Sequence, residues 1–230
     1  MVYNCLNFIL SWLYPDLCQL CDAPAFEGLC EGCRQELPHN HHACRQCGLP
    51  LTPGQETVCG HCLRQPPALD HSLIPFLYSP PIDRLIGGFK FSAKLPQGRL
   101  LSRLLGDYLE QHAEMPDLLL PVPLHPARLR QRGYNQALEL AKPLSRRFHI
   151  PIDHRSCRRV RPTRPQSTLK KRQRRRNIRG AFQIIRPIAA KHVALVDDVV
   201  TTGGTVNELA RQLKLAGIAR VDVWAVARTP

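Results

Sequence analysis

The stretch "VALVDDVVTTGGT", residues 193–205, decides how this chain is read. An apolar run of strand length ends in two adjacent carboxylates, Asp197 and Asp198, and passes at once into threonines and paired glycines. In open α/β sheets ligands bind outside the carboxyl ends of the strands, so this run delivers both carboxylates to a ligand edge. Thr201, Thr202, Gly203, Gly204 and Thr205 form a turn whose glycines permit unusual φ. Its N–H groups point outward at the start of a helix, which makes an anion cradle. The carboxylates cannot hold that anion, so they address hydrogen-bond donors a few ångströms away. A sugar with two neighbouring hydroxyls meets both demands, and the stretch reads as a site for a ribose 5-phosphate. The bland alternative is a plain strand–turn–helix junction with an exposed acidic pair.

Working outward, strand and helix patterns alternate. "SLIPFLY" (72–78) predicts a strand, and "PIDRLIGGFKFSAK" (81–94) carries Ile82, Leu85, Ile86 and Phe89 at the spacing of a helix face. "GRLLSRLLGDYLEQH" repeats that spacing, and "LLLPVP" (118–123) predicts a short buried strand ended by proline. "YNQALELAKPLSRRF" is helical, with Pro143 expected to kink or divide it. A helix from about Thr205 to Leu215, closed by Gly217, precedes a last strand, "VDVWAVA". Alternating strands and helices imply an α/β fold with a mostly parallel sheet flanked by helices. Upstream, "LRQPPALDHS" reads as a proline-rich linker. It divides an N-terminal module, residues 1–66, from an α/β domain, residues 67–230.

The module is defined by cysteine. Nine of the ten cysteines lie in the first 62 residues, and eight of them form four CxxC pairs. A CxxC turn sets two sulfurs on one side of a tight knuckle, and two knuckles complete a tetrahedral thiolate site for zinc. Eight ligands fill two sites. Chain order assigns Cys18, Cys21, Cys30 and Cys33 to one ion and Cys44, Cys47, Cys59 and Cys62 to the other, with an interleaved pairing as the alternative. Disulfides or redox motifs are the competing reading, disfavoured by four regular pairs without a secretion signal. His39, His41, His42 and His61 read as bystanders beside so many thiolates. Cys157 lies among arginines expected to lower its pKa.

The formal net charge is +14, and its excess is local. No acidic residue lies between Asp153 and Asp197, a segment with fourteen Lys and Arg; the other eighteen basic residues balance the eighteen acidic ones. Arg172, Arg174, Arg175 and Arg176 stand at its centre. The segment suggests an anionic partner, either single-stranded nucleic acid or a polyphosphate, against the plainer reading of a solvated loop. No stretch reaches the roughly eighteen apolar residues of a transmembrane helix. The apolar start, "MVYNCLNFILSWLYPDLC", lacks the basic flank of a signal peptide and reads as a docked helix or an interfacial membrane helix. A cytoplasmic location is expected.

The stretch 193–205 resembles the signature of the type I phosphoribosyltransferases, which bind 5-phosphoribosyl 1-pyrophosphate (PRPP). More narrowly, "VPLHPARLRQRGYNQA" (122–137), "RPQSTLKKRQRRRNIRGAF" (164–182) and the cysteine-rich start resemble the ComF family, which includes the GntX-type DNA-utilisation proteins. The resemblance implies that Asp197 and Asp198 hold the ribose hydroxyls, that Thr201–Thr205 hold the 5-phosphate, and that Mg²⁺ accompanies PRPP. It places a pyrophosphate loop on residues 122–128, where His125 and Arg128, with Arg130 and Arg132 following, are the anion partners. It also implies a closing segment around 166–176, and an acceptor either by the loop after Trp224 to Arg228 or under the preceding helices. A role in competence or in consumption of external DNA follows, alone or with other DNA-uptake proteins. Active nucleobase salvage is the alternative.

Overall fold

The computed structural model describes residues 16–52, 54, 57–161 and 180–230. In chain order the elements are α1 (Glu31–Gln35), α2 (Gly60–Arg64), β1 (His71–Leu73), β2 (Phe76–Leu77), α3 (Ile82–Phe91), α4 (Leu95–His112) and β3 (Leu118–Pro121). Next come α5 (Pro126–Arg132), α6 (Gln136–Phe148), β4 (Cys157–Arg159), β5 (Phe182–Ile184), β6 (His192–Val200), α7 (Gly204–Leu215) and β7 (Arg220–Arg228). The main sheet runs β1–β7–β6–β3, with β2 also on β7, and every pairing in it is parallel. Strands β4 and β5 form a separate antiparallel ribbon.

Alternation along the two central strands explains the layers, because successive side chains leave a strand on opposite faces. Ala194, Val196, Trp224 and Val226 face a cluster built with Ile82, Leu85, Ile86 and Phe89 of α3, Leu101 and Leu105 of α4, and Leu140 and Leu144 of α6. Val193, Leu195, Val221 and Val223 face the other cluster, with Val206, Leu209 and Leu213 of α7. A strand apolar on both faces is what a parallel sheet covered on both sides requires. The expected fold class is what the structure shows.

Three local expectations need correction. The predicted strand 72–78 is two short strands, since Pro75 has no N–H to donate and the break is put to use. Asn40 donates its side-chain amide to Ile74 O at 3.3 Å and its backbone N–H to Pro75 O at 2.7 Å. Helix α6 runs through Pro143 undivided, held by the burial of Leu140, Ala141 and Leu144 on its inner face. The proline-rich stretch is docked: Ala68 N donates to Asn207 Oδ1 at 2.7 Å, and Val221 N donates to Asp70 Oδ2 at 2.7 Å. Among the described residues no helix is long and apolar enough to cross a membrane. The expected N-terminal helix lies outside the described residues.

Candidate ligand cleft and metal centres

Strand β6 carries the acidic pair to the carboxyl edge of the sheet, and β3 ends beside it, Val122 N donating to Val196 O at 2.9 Å. Between these strand ends and helix α3 opens a cleft of about 740 Å³. Asp197, Asp198, Thr201, Thr205, Arg128 and Arg132 all line it, so six of the residues picked from the sequence meet in one place. Thr202, Gly203 and Gly204 belong to the same turn but lie outside that wall. Gly203, with φ of 72°, caps the N-terminus of α7 in a left-handed conformation that favours glycine. His125 is placed differently: its Nδ1 accepts from Ala127 N at 3.2 Å and caps α5. Arg130 is exposed on the same helix. None of Trp224–Arg228 lines the cleft. Its remaining wall is supplied by helix-side residues, Lys90, Phe91 and Ala93 among them.

Lys90 and Arg159, both in the cleft wall, were not singled out from the sequence. Lys90 Nζ lies 2.8 Å from Asp198 Oδ2 and donates to Oδ1 at 3.0 Å. Lysine at the end of an apolar helix face normally reads as a solvated flank, and its partner is 108 positions away. Arg159 is buried in the ribbon strand β4, with its guanidinium 5.5 Å from the centre of the Phe182 ring. Burial lowers its pKa, and the charge of Arg128 adds to this, while Asp197 opposes both. The cleft therefore sets four cations, Lys90, Arg128, Arg132 and Arg159, against two carboxylates. Such a surplus suits a ligand with several phosphate charges.

The two carboxylates differ. Asp198 is 5% exposed and fully engaged by Lys90. Asp197 accepts the backbone N–H of Asp198 at 2.9 Å. Burial of its carboxyl group, with the Asp198 charge beside it, pushes its pKa up to about 7, against the pull of Lys90. A buried carboxyl group whose pKa is raised by burial and a neighbouring charge is a frequent mark of a functional site.

The cysteines gather as chain order suggests. Cys18, Cys21, Cys30 and Cys33 form one group and Cys44, Cys47, Cys59 and Cys62 the other, with the ligand atoms of each lying within 4.8 Å of one another. This is the donor set of a structural zinc site, and the two groups fit two ions. Thiol chemistry within them is uneven. Burial opposes ionisation of Cys18, but backbone N–H groups of Cys30, Leu20 and Cys21 hold it down at about 6. Burial and the neighbouring Cys47 push Cys62 up. A cation relieves that conflict by stabilising every thiolate at once. His39 stacks on His41 at 5.2 Å and packs against Phe76. Cys157 reverses its expectation: burial, followed by the charge of Asp153, pushes its thiol up to about 12. Arg172, Arg174, Arg175 and Arg176, and the closing segment around them, lie outside the described residues.

Comparison with known proteins adds four findings. The double zinc ribbon domain family matches residues 9–63, which contain all eight paired cysteines. The chain is 40% identical over 225 residues to the DNA utilization protein YhgH of Escherichia coli (strain K12), covering 94% of this chain and 98% of that protein. It is 37% identical over 212 residues to Competence protein F of Haemophilus influenzae, covering 89% and 92%, and 27% identical over 205 residues to Competence protein ComFC of Bacillus subtilis (strain 168), covering 84% and 80%.

Proposed function

The chain belongs to the ComF family of DNA-utilisation and competence proteins, and from that premise we propose that it binds PRPP in the cleft at Asp197 and Asp198 and acts in DNA uptake or in the use of external DNA as a nutrient. One observation carries this reading. The acidic pair, the two ends of the threonine-glycine turn, Thr201 and Thr205, and four cations share a single cleft. The 5-phosphate takes the N–H and hydroxyl donors of Thr201, Thr202, Gly203, Gly204 and Thr205. Asp197 and Asp198 accept from the ribose hydroxyls, and Arg128 and Arg132 neutralise the pyrophosphate. Mg²⁺ would accompany the ligand. Lys90 already holds both oxygens of Asp198, so Asp197 is the carboxylate suited to the metal-bound ligand. Magnesium would shield the pyrophosphate charge there. His125, as a helix cap, is a weaker partner for that anion than the two arginines.

The boundary at residues 66 and 67 is retained as the division between the zinc module and the ligand-binding domain. A cytoplasmic location accords with eight reduced thiolates used as metal ligands. Single-stranded DNA, alone or with other DNA-uptake proteins, is the macromolecular partner assigned to Arg172, Arg174, Arg175 and Arg176.

A calorimetric titration with PRPP and Mg²⁺ tests the site. Asp197→Ala is expected to weaken binding by about tenfold or more, in the range of a lost charge-assisted contact. Unchanged affinity in both Asp197→Ala and Asp198→Ala overturns the assignment. A second reading, an active nucleobase phosphoribosyltransferase in nucleotide salvage, is favoured by Tyr78, Phe91 and Tyr134 in the same cleft wall, where a planar base could stack. Pyrophosphate release with a panel of bases separates the two, since a binding protein gives none.

A further inference from the structure

Arg228, at the end of β7, joins the second cysteine group to the turn that follows the acidic pair. Its side chain is buried, the residue being 5% exposed. Nε donates to Cys47 O at 3.0 Å, while Nη1 donates to Val200 O at 3.2 Å and to the carbonyls of Thr201 and Thr229. One guanidinium therefore divides its donors between a metal knuckle and the first residues of the phosphate turn. A buried guanidinium is costly unless its N–H groups are satisfied, so loss of either set of carbonyls forces the side chain to move.

The knuckle is itself fixed to the sheet. Ser72 N donates to Arg45 O at 2.7 Å, Ser72 Oγ donates to Gln46 O at 2.7 Å, and the Asn40 amide donates to Gly48 O at 3.0 Å. The first group reaches the helix layer instead, through Gln19 Nε2 donating to Pro96 O at 3.3 Å and the Arg103–Glu27 ion pair at 3.0 Å.

We propose that Arg228 is a positioning residue for the ligand cleft: zinc held by Cys44, Cys47, Cys59 and Cys62 fixes Cys47 O, and through Arg228 fixes the Val200–Thr201 carbonyls that shape the 5-phosphate turn. Metal at the second group thereby sets affinity for a phosphorylated ribose, and metal at the first group does not. The affinity half of this inference rests on the PRPP reading of the cleft. The coupling half does not.

The test uses the full chain, ribose 5-phosphate as calorimetric probe, and amide hydrogen exchange over residues 199–206 as a readout independent of ligand. Cys59→Ser and Arg228→Met are each expected to weaken ribose 5-phosphate binding by about tenfold and to speed exchange at 199–206, within the usual range of coupling between sites. Combining them adds little to either alone. Cys30→Ser leaves both readouts within about twofold, and Arg228→Met still holds about two zinc ions, which separates a loosened turn from a lost knuckle. Arg228→Lys keeps the charge but cannot span both sets of carbonyls, and speeds exchange in the same way if Arg228→Met does not fold. Additive losses in the combined variant, or equal exchange in the two cysteine variants, overturn the proposal. If the wild-type chain binds neither ribose 5-phosphate nor PRPP with Mg²⁺, the PRPP reading fails, and the exchange comparison still decides the coupling.

Discussion

The two four-cysteine groups share the same donors and nearly the same loop lengths, yet they rest on different parts of the molecule. Cys18, Cys21, Cys30 and Cys33 lie against the helix layer through Gln19, Glu27 and Arg103. Cys44, Cys47, Cys59 and Cys62 lie over the sheet edge, where Ser72, Asn40 and Arg228 fasten their backbone to β1 and to the end of β7. Burial differs in degree: the first group has one buried cysteine, Cys18, and one exposed, Cys21, whereas the second has two buried, Cys44 and Cys62, and none exposed. Identical coordination chemistry therefore carries unequal structural consequence, because the backbone behind each knuckle decides what its metal holds in place.

The largest expected effect is on stability. Cys62→Ser removes a buried ligand from the sheet-side group and should destabilise the α/β body by about 3 kcal/mol or more, read by calorimetric unfolding. Cys21→Ser should leave that transition nearly in place. Equal shifts would erase the distinction between the groups.

Next come two glycines with matching backbones. Gly48 has φ of 68°, and a Cβ there would meet Ile74 Cδ1 at 2.5 Å; Gly28 has φ of 77°, but its Cβ would meet the flexible end of Gln19 at 2.9 Å. Both substitutions to alanine incur the left-handed backbone strain, roughly 1 kcal/mol, and Gly48→Ala adds roughly another 1–2 kcal/mol of overpacking. Denaturant unfolding of the two variants reads that difference directly.

A pH series tests the site to which the second group is joined. The pKa of Asp197 is raised from 3.8 to about 7, so the folded chain keeps a proton that the unfolded chain has lost. Folding stability contributed by this group therefore falls as pH rises from about 4 to about 7 and is level above that. Ligand affinity is expected to move the opposite way, rising through about pH 7 as the carboxylate becomes available to the ribose and its metal. Asp197→Asn should flatten both curves. The smallest effect is expected from Arg103→Ala, which removes a partly exposed ion pair from the first group and should change stability by no more than about 1 kcal/mol.

The reach of the sequence stopped where partners are distant. Periodicity exposed the buried strands and the helix faces, and the CxxC spacing found both metal groups, because those signals are local. Lys90, Arg159 and Arg228 gave none. Each acquires its role from a residue that the fold brings near, such as Asp198 for Lys90 or Cys47 for Arg228. Cys157 failed for the related reason that neighbours in sequence were counted as neighbours in space. Burial, invisible in a list of adjacent arginines, set its chemistry. Pro143 shows the converse, since a helix-breaking residue is tolerated where the inner face of α6 is buried on either side of it.

Strand β7 has a consequence for biosynthesis. It lies between β1 and β6 at the middle of the sheet, although it follows both in the chain and pairs with residues about 150 positions earlier. During translation at about 5–20 residues per second, the apolar flanks of β1 wait roughly eight to thirty seconds for their neighbour. Until Arg220–Arg228 leaves the ribosome, the nascent sheet has an unfilled slot between β1 and β6, and the apolar edges on either side of it stay uncovered.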